Sequence, residues 1–192
     1  MDHTVVVVGY QTFMLDGVSN ERIIEQVLAA RGQKIHQDPR HTEYEDSELP
    51  QTPETIYLVS QVDERVHAID PRLNREGLWA HILSPGESTM YHTHSRAGFP
   101  GIGISWVYYA SHPRNSGELV FFCTVNDRQV RHSVMPEVGK LVIFSATLPH
   151  LTTKHTGEGL RVSISGNYFL PPQVQQQVHM GKSSTRVSFF TG

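Results

Sequence analysis

The sequence predicts a mainly β protein of the α+β kind, with helices at its N-terminal side, and three observations carry that reading. From about Leu78 to Leu170, short apolar or alternating runs recur between Gly, Pro, Asn and Asp, the rhythm of a sandwich, jelly roll or barrel. Two segments with helical periodicity precede that region. A chain of 192 residues supports one domain with a real core and is short for two. The expected organisation is a single domain over 1–192: residues 1–77 form a strand and helix support with a candidate lid, 78–170 form the β core, and 171–192 form a C-terminal tail.

The first element is a strand in "TVVVVGYQTF", which is rich in β-branched residues. A helix follows in "SNERIIEQVLAARG", where Ile23, Ile24, Val27 and Leu28 fall at helical spacing. Ser19 or Asn20 can cap its start, and Gly32 ends it. From Gln33 to Glu54 the chain carries Pro39, Pro50 and Pro53 among charges, a composition that buries little and reads as surface or lid. "TIYLVS" reads as a strand and "QVDERVHAID" as a short helix with Val62, Val66 and Ile69 on one face.

Eight strands are then expected, in "LWAHIL", "TMYHTH", "GISWVYYA", "GELVFFCTV", "RQVRHSVM", "KLVIFSA", "PHLTTK" and "LRVSISGNYFL". The tail begins polar and ends in "RVSFF", which reads as a docked strand. No internal repeat is visible.

Composition narrows the function. Lys and Arg number 16 against 19 Asp and Glu, so there is no strongly basic surface for nucleic acid. The single cysteine, Cys123, excludes an internal disulfide framework and suits a reducing compartment, the cytoplasm by default. "MDHTVVVVGY" lacks a basic n-region, and no stretch approaches transmembrane length, so neither a signal peptide nor a membrane partner is expected. Of the 12 histidines, His36, His41, His112 and His155 lie in polar, turn-rich segments and read as solvated.

The stretch "MYHTHSRAG" places His92 and His94 two residues apart. On a strand they project to the same side, and one ion can take both imidazoles. His150 follows a later apolar strand, and Arg161 and Ser163, again two apart, open the last one. An Arg turned into a barrel of Val, Ile and Phe costs several kcal/mol unless an anion answers it. No acidic residue in the neighbouring strands is an obvious partner, so a bound carboxylate gripped by Arg161 beside the Ser163 hydroxyl would satisfy the site.

Fifty-five residues separate His94 from His150, and ten separate His150 from Arg161. This His-x-His, His, Arg-x-Ser run resembles the iron- and 2-oxoglutarate-dependent oxygenases, whose pattern is His-x-Asp, His, Arg-x-Ser with similar gaps. "SWVYYASHPRNSGELVFF", the P-x-x-G-x-L-x-x-F of 136–144 and "RVSISGNYF" are similar to the prolyl 4-hydroxylase branch. The resemblance covers about 78–170 and implies a double-stranded β-helix, or jelly-roll, core with the N-terminal helices packed on one sheet. It further implies Fe(II) held by His92 and His150, and 2-oxoglutarate as co-substrate, its distal carboxylate held by Arg161, Ser163 and Tyr109. The implied reaction hydroxylates a C–H of a prolyl, amino-acid-like or small-molecule substrate with dioxygen and releases succinate and carbon dioxide.

His94 departs from the pattern, which asks for Asp or Glu there because two histidines and a carboxylate hold Fe(II) on one face. Either His94 supplies a third nitrogen, which the strand pleat favours, or a carboxylate such as Glu118 or Glu87 swings in, or only two protein ligands remain. "GESTMYHTH" also fits the opening of a cupin motif, and cupins include three-histidine iron sites without 2-oxoglutarate. A cupin, however, places its second-motif His about three residues after a Pro-x-Gly turn, whereas His150 lies eleven after Gly139, and it has no use for Arg161. A non-catalytic small-anion-binding barrel is the reading from a different class. Trp79 and Trp106 are candidates for a substrate pocket. His81 and His132 are candidate neighbours of the site, and Cys123 is expected to be buried.

Overall fold

The computed structural model describes residues 9–30, 45–94 and 103–171. The expected "RVSFF" strand, Gly32, His36 and His41 lie outside them. The described elements are β1 (Tyr10–Met14), α1 (Asn20–Ala29), β2 (Glu45–Glu48), α2 (Pro53–Ile69), β3 (Asn74–Leu83), β4 (Thr89–His92), β5 (Gly103–Ser111), β6 (Leu119–Val125), β7 (Arg128–Val134), β8 (Lys140–Ser145), β9 (His150–Thr152) and β10 (Arg161–Phe169).

All eight strands expected after Leu78 are present as β3 to β10. They divide between two antiparallel sheets, one in the order β1-β8-β5-β10-β3-β2 and the other β4-β9-β6-β7. From β3 onward the strands alternate between the sheets, except at the β6–β7 hairpin, in the manner of a jelly roll, the double-stranded β-helix. β5 shows how the layers are cemented. Trp106, Tyr108 and Ala110 point into one core shared with the helices, while Val107 and Tyr109 point into a second core between the sheets. With both faces covered, β5 is apolar almost throughout rather than alternating.

The helices pack on the outer face of the six-stranded sheet. In α1, Ile23 and Val27 have no exposed surface, each burial worth roughly 1.5–3 kcal/mol, and the Tyr108 hydroxyl donates to Asn20 Oδ1 at 2.7 Å. Ser19 holds the N-cap position without a side-chain cap bond.

Two expectations on the N-terminal side are corrected. "TIYLVS" is not a strand: it forms the first half of the 17-residue helix α2. Thr55, Leu58, Val59, Val62 and Val66 are buried at helical spacing, whereas Ile56 and Tyr57 stand 56% and 42% exposed. A strand would have buried alternate residues. A reciprocal capping box between Thr52 and Thr55, with Pro53 in the first turn, starts the helix. The second correction concerns Gln33–Glu54, part of which forms β2, adding "EDSE" to the edge of β3. Strand pairing there comes from the backbone and is invisible in side-chain composition. No helix among the described residues is long and apolar enough to cross a membrane.

Candidate metal and co-substrate site

Between the sheets lies a cavity of about 500 Å³, a size usual for small-molecule sites. β4 and β9 supply histidines from one wall, and β10 supplies Arg161, Ser163, Ser165 and Asn167 from the other, every second residue facing inward.

His92 and His150 are direct cross-strand partners, and their ring centroids lie 4.3 Å apart. His94 sits 4.9 Å from the first and 5.0 Å from the second. β4 ends at His92, so the pleat does not place His94 as expected. Instead its backbone N–H donates to Ala146 O at 2.8 Å, and this bond turns it toward the other two. The candidate ligand atoms of all three lie within 4.8 Å of one another. Three nitrogens sharing an ion at about 2.1 Å stand about 3 to 3.6 Å apart, so the set closes on a metal with side-chain movements on the order of 1 Å.

The ring orientations fit the same purpose. His92 Nδ1–H donates to Met90 O at 2.7 Å and His150 Nδ1–H to Leu148 O at 2.8 Å. Each bond fixes the tautomer and leaves Nε2 as a lone-pair donor. A one-residue bulge in β4 against β9, between Thr89 and His92, provides the backbone for the first of these bonds and brings Met90 and Tyr91 to the cavity mouth. Burial, reinforced by the charge of neighbouring His92, pushes His150 down to about 3, so it is neutral and available as a ligand. The Phe144 ring packs edge-on at 4.8 Å and restrains it.

Arg161 is 2% exposed. Its guanidinium carbon stands 5.0 Å from the centre of the Tyr109 ring, and Nη1 donates at 3.3 and 3.4 Å to Ser116 O and Gly117 O. Among the described residues no carboxylate pairs with it, and Arg161 Nε and the Tyr109 hydroxyl have no hydrogen-bond partner. Burial lowers the guanidinium pKa, with Tyr109 opposing, and burial raises that of Tyr109, with Arg161 opposing. Ser163 is buried and pairs in register with Tyr109. A carboxylate is the group that would satisfy a buried cation with unspent donors at the end of a cavity.

The six expected site residues, His92, His94, Tyr109, His150, Arg161 and Ser163, therefore line one cavity. Glu87 and Glu118 do not border it: Glu87 accepts from the Ser84 backbone at 2.6 Å, and neither joins the histidine cluster. Trp79 does border the cavity, its ring 5.8 Å from that of His94. Trp106 borders it too, but packs in the helix-side core. His81 lines the cavity as well, whereas His132 bonds the Tyr10 hydroxyl on exposed β7. Cys123 is half-buried and free, not fully enclosed.

His155 is fully buried rather than solvated. It donates from Nε2 to Gly159 O at 3.1 Å and accepts from Gly157 N–H at 3.2 Å, a local knot that sequence polarity concealed. His112 is also half-buried, near the Gly117 carbonyl. The sequence reading missed Asn167 and its partner Ser105, although carrying the alternation of Arg161 and Ser163 two steps further reaches Asn167.

A family model described as "Putative 2OG-Fe(II) oxygenase" matches residues 77–167. No curated protein sequence matches the chain. Among solved structures, the chain is similar to a Pseudomonas putida prolyl-4-hydroxylase, at 20% identity over 85% of this chain and 94% of that one, with a TM-score of 0.65. A Trichoplax adhaerens prolyl hydroxylase in complex with a hypoxia inducible factor peptide fragment gives 16% identity over 90% and 88%, with a TM-score of 0.66. HygX from Streptomyces hygroscopicus, with nickel, 2-oxoglutarate and hygromycin B bound, gives 13% identity over 86% and 84%, with a TM-score of 0.64. These likenesses confirm the double-stranded β-helix fold, and the family match spans every one of the six site residues. The segment that builds the cavity, residues 77–167, is the part of the chain that matches the 2OG-Fe(II) oxygenase model.

Proposed function

We propose that this protein is an Fe(II)- and 2-oxoglutarate-dependent dioxygenase that hydroxylates a C–H bond of a small-molecule or peptide substrate, with release of succinate and carbon dioxide. The observation that carries it is the buried, carboxylate-less Arg161 in the same cavity as three convergent imidazoles. His92, His94 and His150 would hold the iron, and Arg161, Ser163 and Tyr109 the distal carboxylate of the co-substrate. Iron, once bound, supplies the activation of dioxygen. The protein's residues do the rest. The Met90 and Leu148 carbonyls hold two imidazoles in the ligating tautomer, Arg161 and Tyr109 fix the diacid by one end, and the apolar walls exclude water.

A cytoplasmic setting is consistent with the free thiol of Cys123. The helices and the six-stranded sheet share a core, which supports a single domain. The third imidazole in place of a carboxylate favours, as a second reading, a cupin-type metal enzyme without 2-oxoglutarate, but that reading leaves Arg161 without a purpose.

The two are separated by anaerobic titration of the iron-loaded protein with 2-oxoglutarate. The proposal predicts a visible charge-transfer band from the chelate, needing at least about tenfold more co-substrate in Arg161→Ala, a loss of about 1.4 kcal/mol or more. Absence of the band in the wild type would exclude it. Succinate production on admitting dioxygen separates an enzyme from a binding protein.

A further inference from the structure

Asn167 stands at the metal level of the cavity, away from Arg161. They are six steps apart along β10, roughly 20 Å of strand. Asn167 is the register partner of Ser105, and Ser105 is the partner of Phe144, whose ring packs on His150. Asn167 thus shares a cross-section with the histidine cluster, on the opposite wall. Its amide is pre-set: the buried Ser105 hydroxyl donates to Asn167 Oδ1 at 2.7 Å. This bond orients the amide, and its NH₂ has no hydrogen-bond acceptor among the described residues. Gly166 fixes the backbone just before it, since a Cβ there would lie 2.8 Å from Gly77 O.

Trp79, Met90 and Tyr91 supply the large side chains of this end, with the small polar Thr93 and Ser165 beside them. Among the described residues bordering the cavity there is no Asp, Glu or Lys, and Arg161 is the only permanently charged side chain. Glu76, the register partner of Asn167 on β3, lies outside the lining, so a substrate ammonium or carboxylate entering here would lose its hydration and find no countercharge among the described lining residues. An uncharged carbonyl would instead find a fixed donor.

We propose that Asn167 anchors the substrate by donating to an uncharged carbonyl, and that the site selects amide- or ester-bearing molecules over zwitterionic amino acids. This rests on the reading of the cavity as a 2-oxoglutarate site, with Arg161 committed to the co-substrate.

The test uses the full chain, labelled with ¹⁵N and loaded with redox-inert zinc and 2-oxoglutarate. N-acetyl-L-prolinamide and N-acetyl-L-leucinamide are titrated in parallel with free L-proline and L-leucine. The readouts are the side-chain amide resonances of Asn167, identified by their loss in Asn167→Ala, and the Trp79 indole N–H. The blocked compounds are expected to shift these signals saturably, and the free amino acids to bind at least about tenfold more weakly. Asn167→Ala should weaken binding of the blocked compounds about fivefold or more, read from the Trp79 signal, with 2-oxoglutarate affinity unchanged.

Equal or tighter binding of the free amino acids, unmoved signals with both blocked compounds, or unaltered affinity in Asn167→Ala each overturns the inference. Affinity for isotopically labelled 2-oxoglutarate is measured on the same samples. Its loss in the wild type sinks both this inference and the functional reading, whereas its retention with any of the overturning results sinks this inference alone.

Discussion

The Arg161 guanidinium lies against the Tyr109 ring at 5.0 Å, buried with it, and both keep unsatisfied polar atoms. Such an arrangement is costly to the empty protein and favourable to a diacid complex. Arg161→Met should therefore leave the thermal midpoint of the ligand-free protein unchanged or raise it, because an apolar side chain of similar length removes a buried, unpaired charge. The same substitution should abolish the rise in midpoint that 2-oxoglutarate gives the wild type, a rise that grows with ligand concentration as mass action requires. Differential scanning fluorimetry with and without 2-oxoglutarate checks both parts. A midpoint several degrees below wild type in the free mutant would show that Arg161 is structural.

His94 reaches the cluster through a backbone bond to Ala146 rather than through a strand. If it is a ligand, His94→Ala should lower iron affinity by at least roughly 10- to 100-fold, the loss that removing a mere hydrogen-bonding support of a ligand already brings. His94→Asp, which restores the two-histidine, one-carboxylate set, should retain iron at least as well as the wild type. Competition against a chromogenic chelator measures both. Equal affinity in wild type and His94→Ala would leave His92 and His150 as the only protein ligands.

The β core was legible because short apolar or alternating runs bounded by turn residues are local signals, and β3 to β10 follow from them. The candidate site residues were legible for a different reason: His92, His150 and Arg161 sit at spacings that a familiar pattern preserves. Tertiary relations were not legible. The bulge that lets Met90 O meet His92, and the pairing that puts Ser105 behind Asn167, depend on register between strands distant in sequence. β2 pairs with β3 through the backbone register Glu45 to Ile82 and Glu48 to Trp79, and "EDSE" carries no strand signature.

The misread helix α2 yields its own prediction. "TIYLVS" is β-branched and aromatic, and residue preference favoured a strand. The cap at Thr52 and the burial of Leu58, Val62 and Val66 decide for helix. Thr52→Ala should cost about 1 kcal/mol of stability through loss of the capping box. Leu58→Ala should cost about 2–5 kcal/mol through the cavity it leaves. Exposed Ile56→Ala should change stability by less than about 0.5 kcal/mol. Urea unfolding of the three variants measures the pattern. A large loss at Ile56 with little at Leu58 would reverse the assignment of faces.

Alkali should destabilise the fold through its buried tyrosines. Burial pushes Tyr108 up to about 12, with its bond to Asn20 opposing. Tyr168, buried and donating to Asp63 Oδ1, is raised as well. A phenol whose folded pKa exceeds its unfolded value near 10 favours the folded state fully only while both states keep the proton. As pH rises past 10 the unfolded chain releases its protons first, and stability falls until the folded pKa is passed. Unfolding free energy, as far as these phenols determine it, should be flat from pH 8 to about 9.5 and decline from pH 10 toward 12. Tyr108→Phe lowers the plateau by about 1 kcal/mol for the lost hydrogen bond to Asn20, yet it should make the decline shallower because one phenol no longer ionises. Urea midpoints measured across that range decide it, and a decline as steep in Tyr108→Phe as in wild type would show that this phenol is not among the groups responsible.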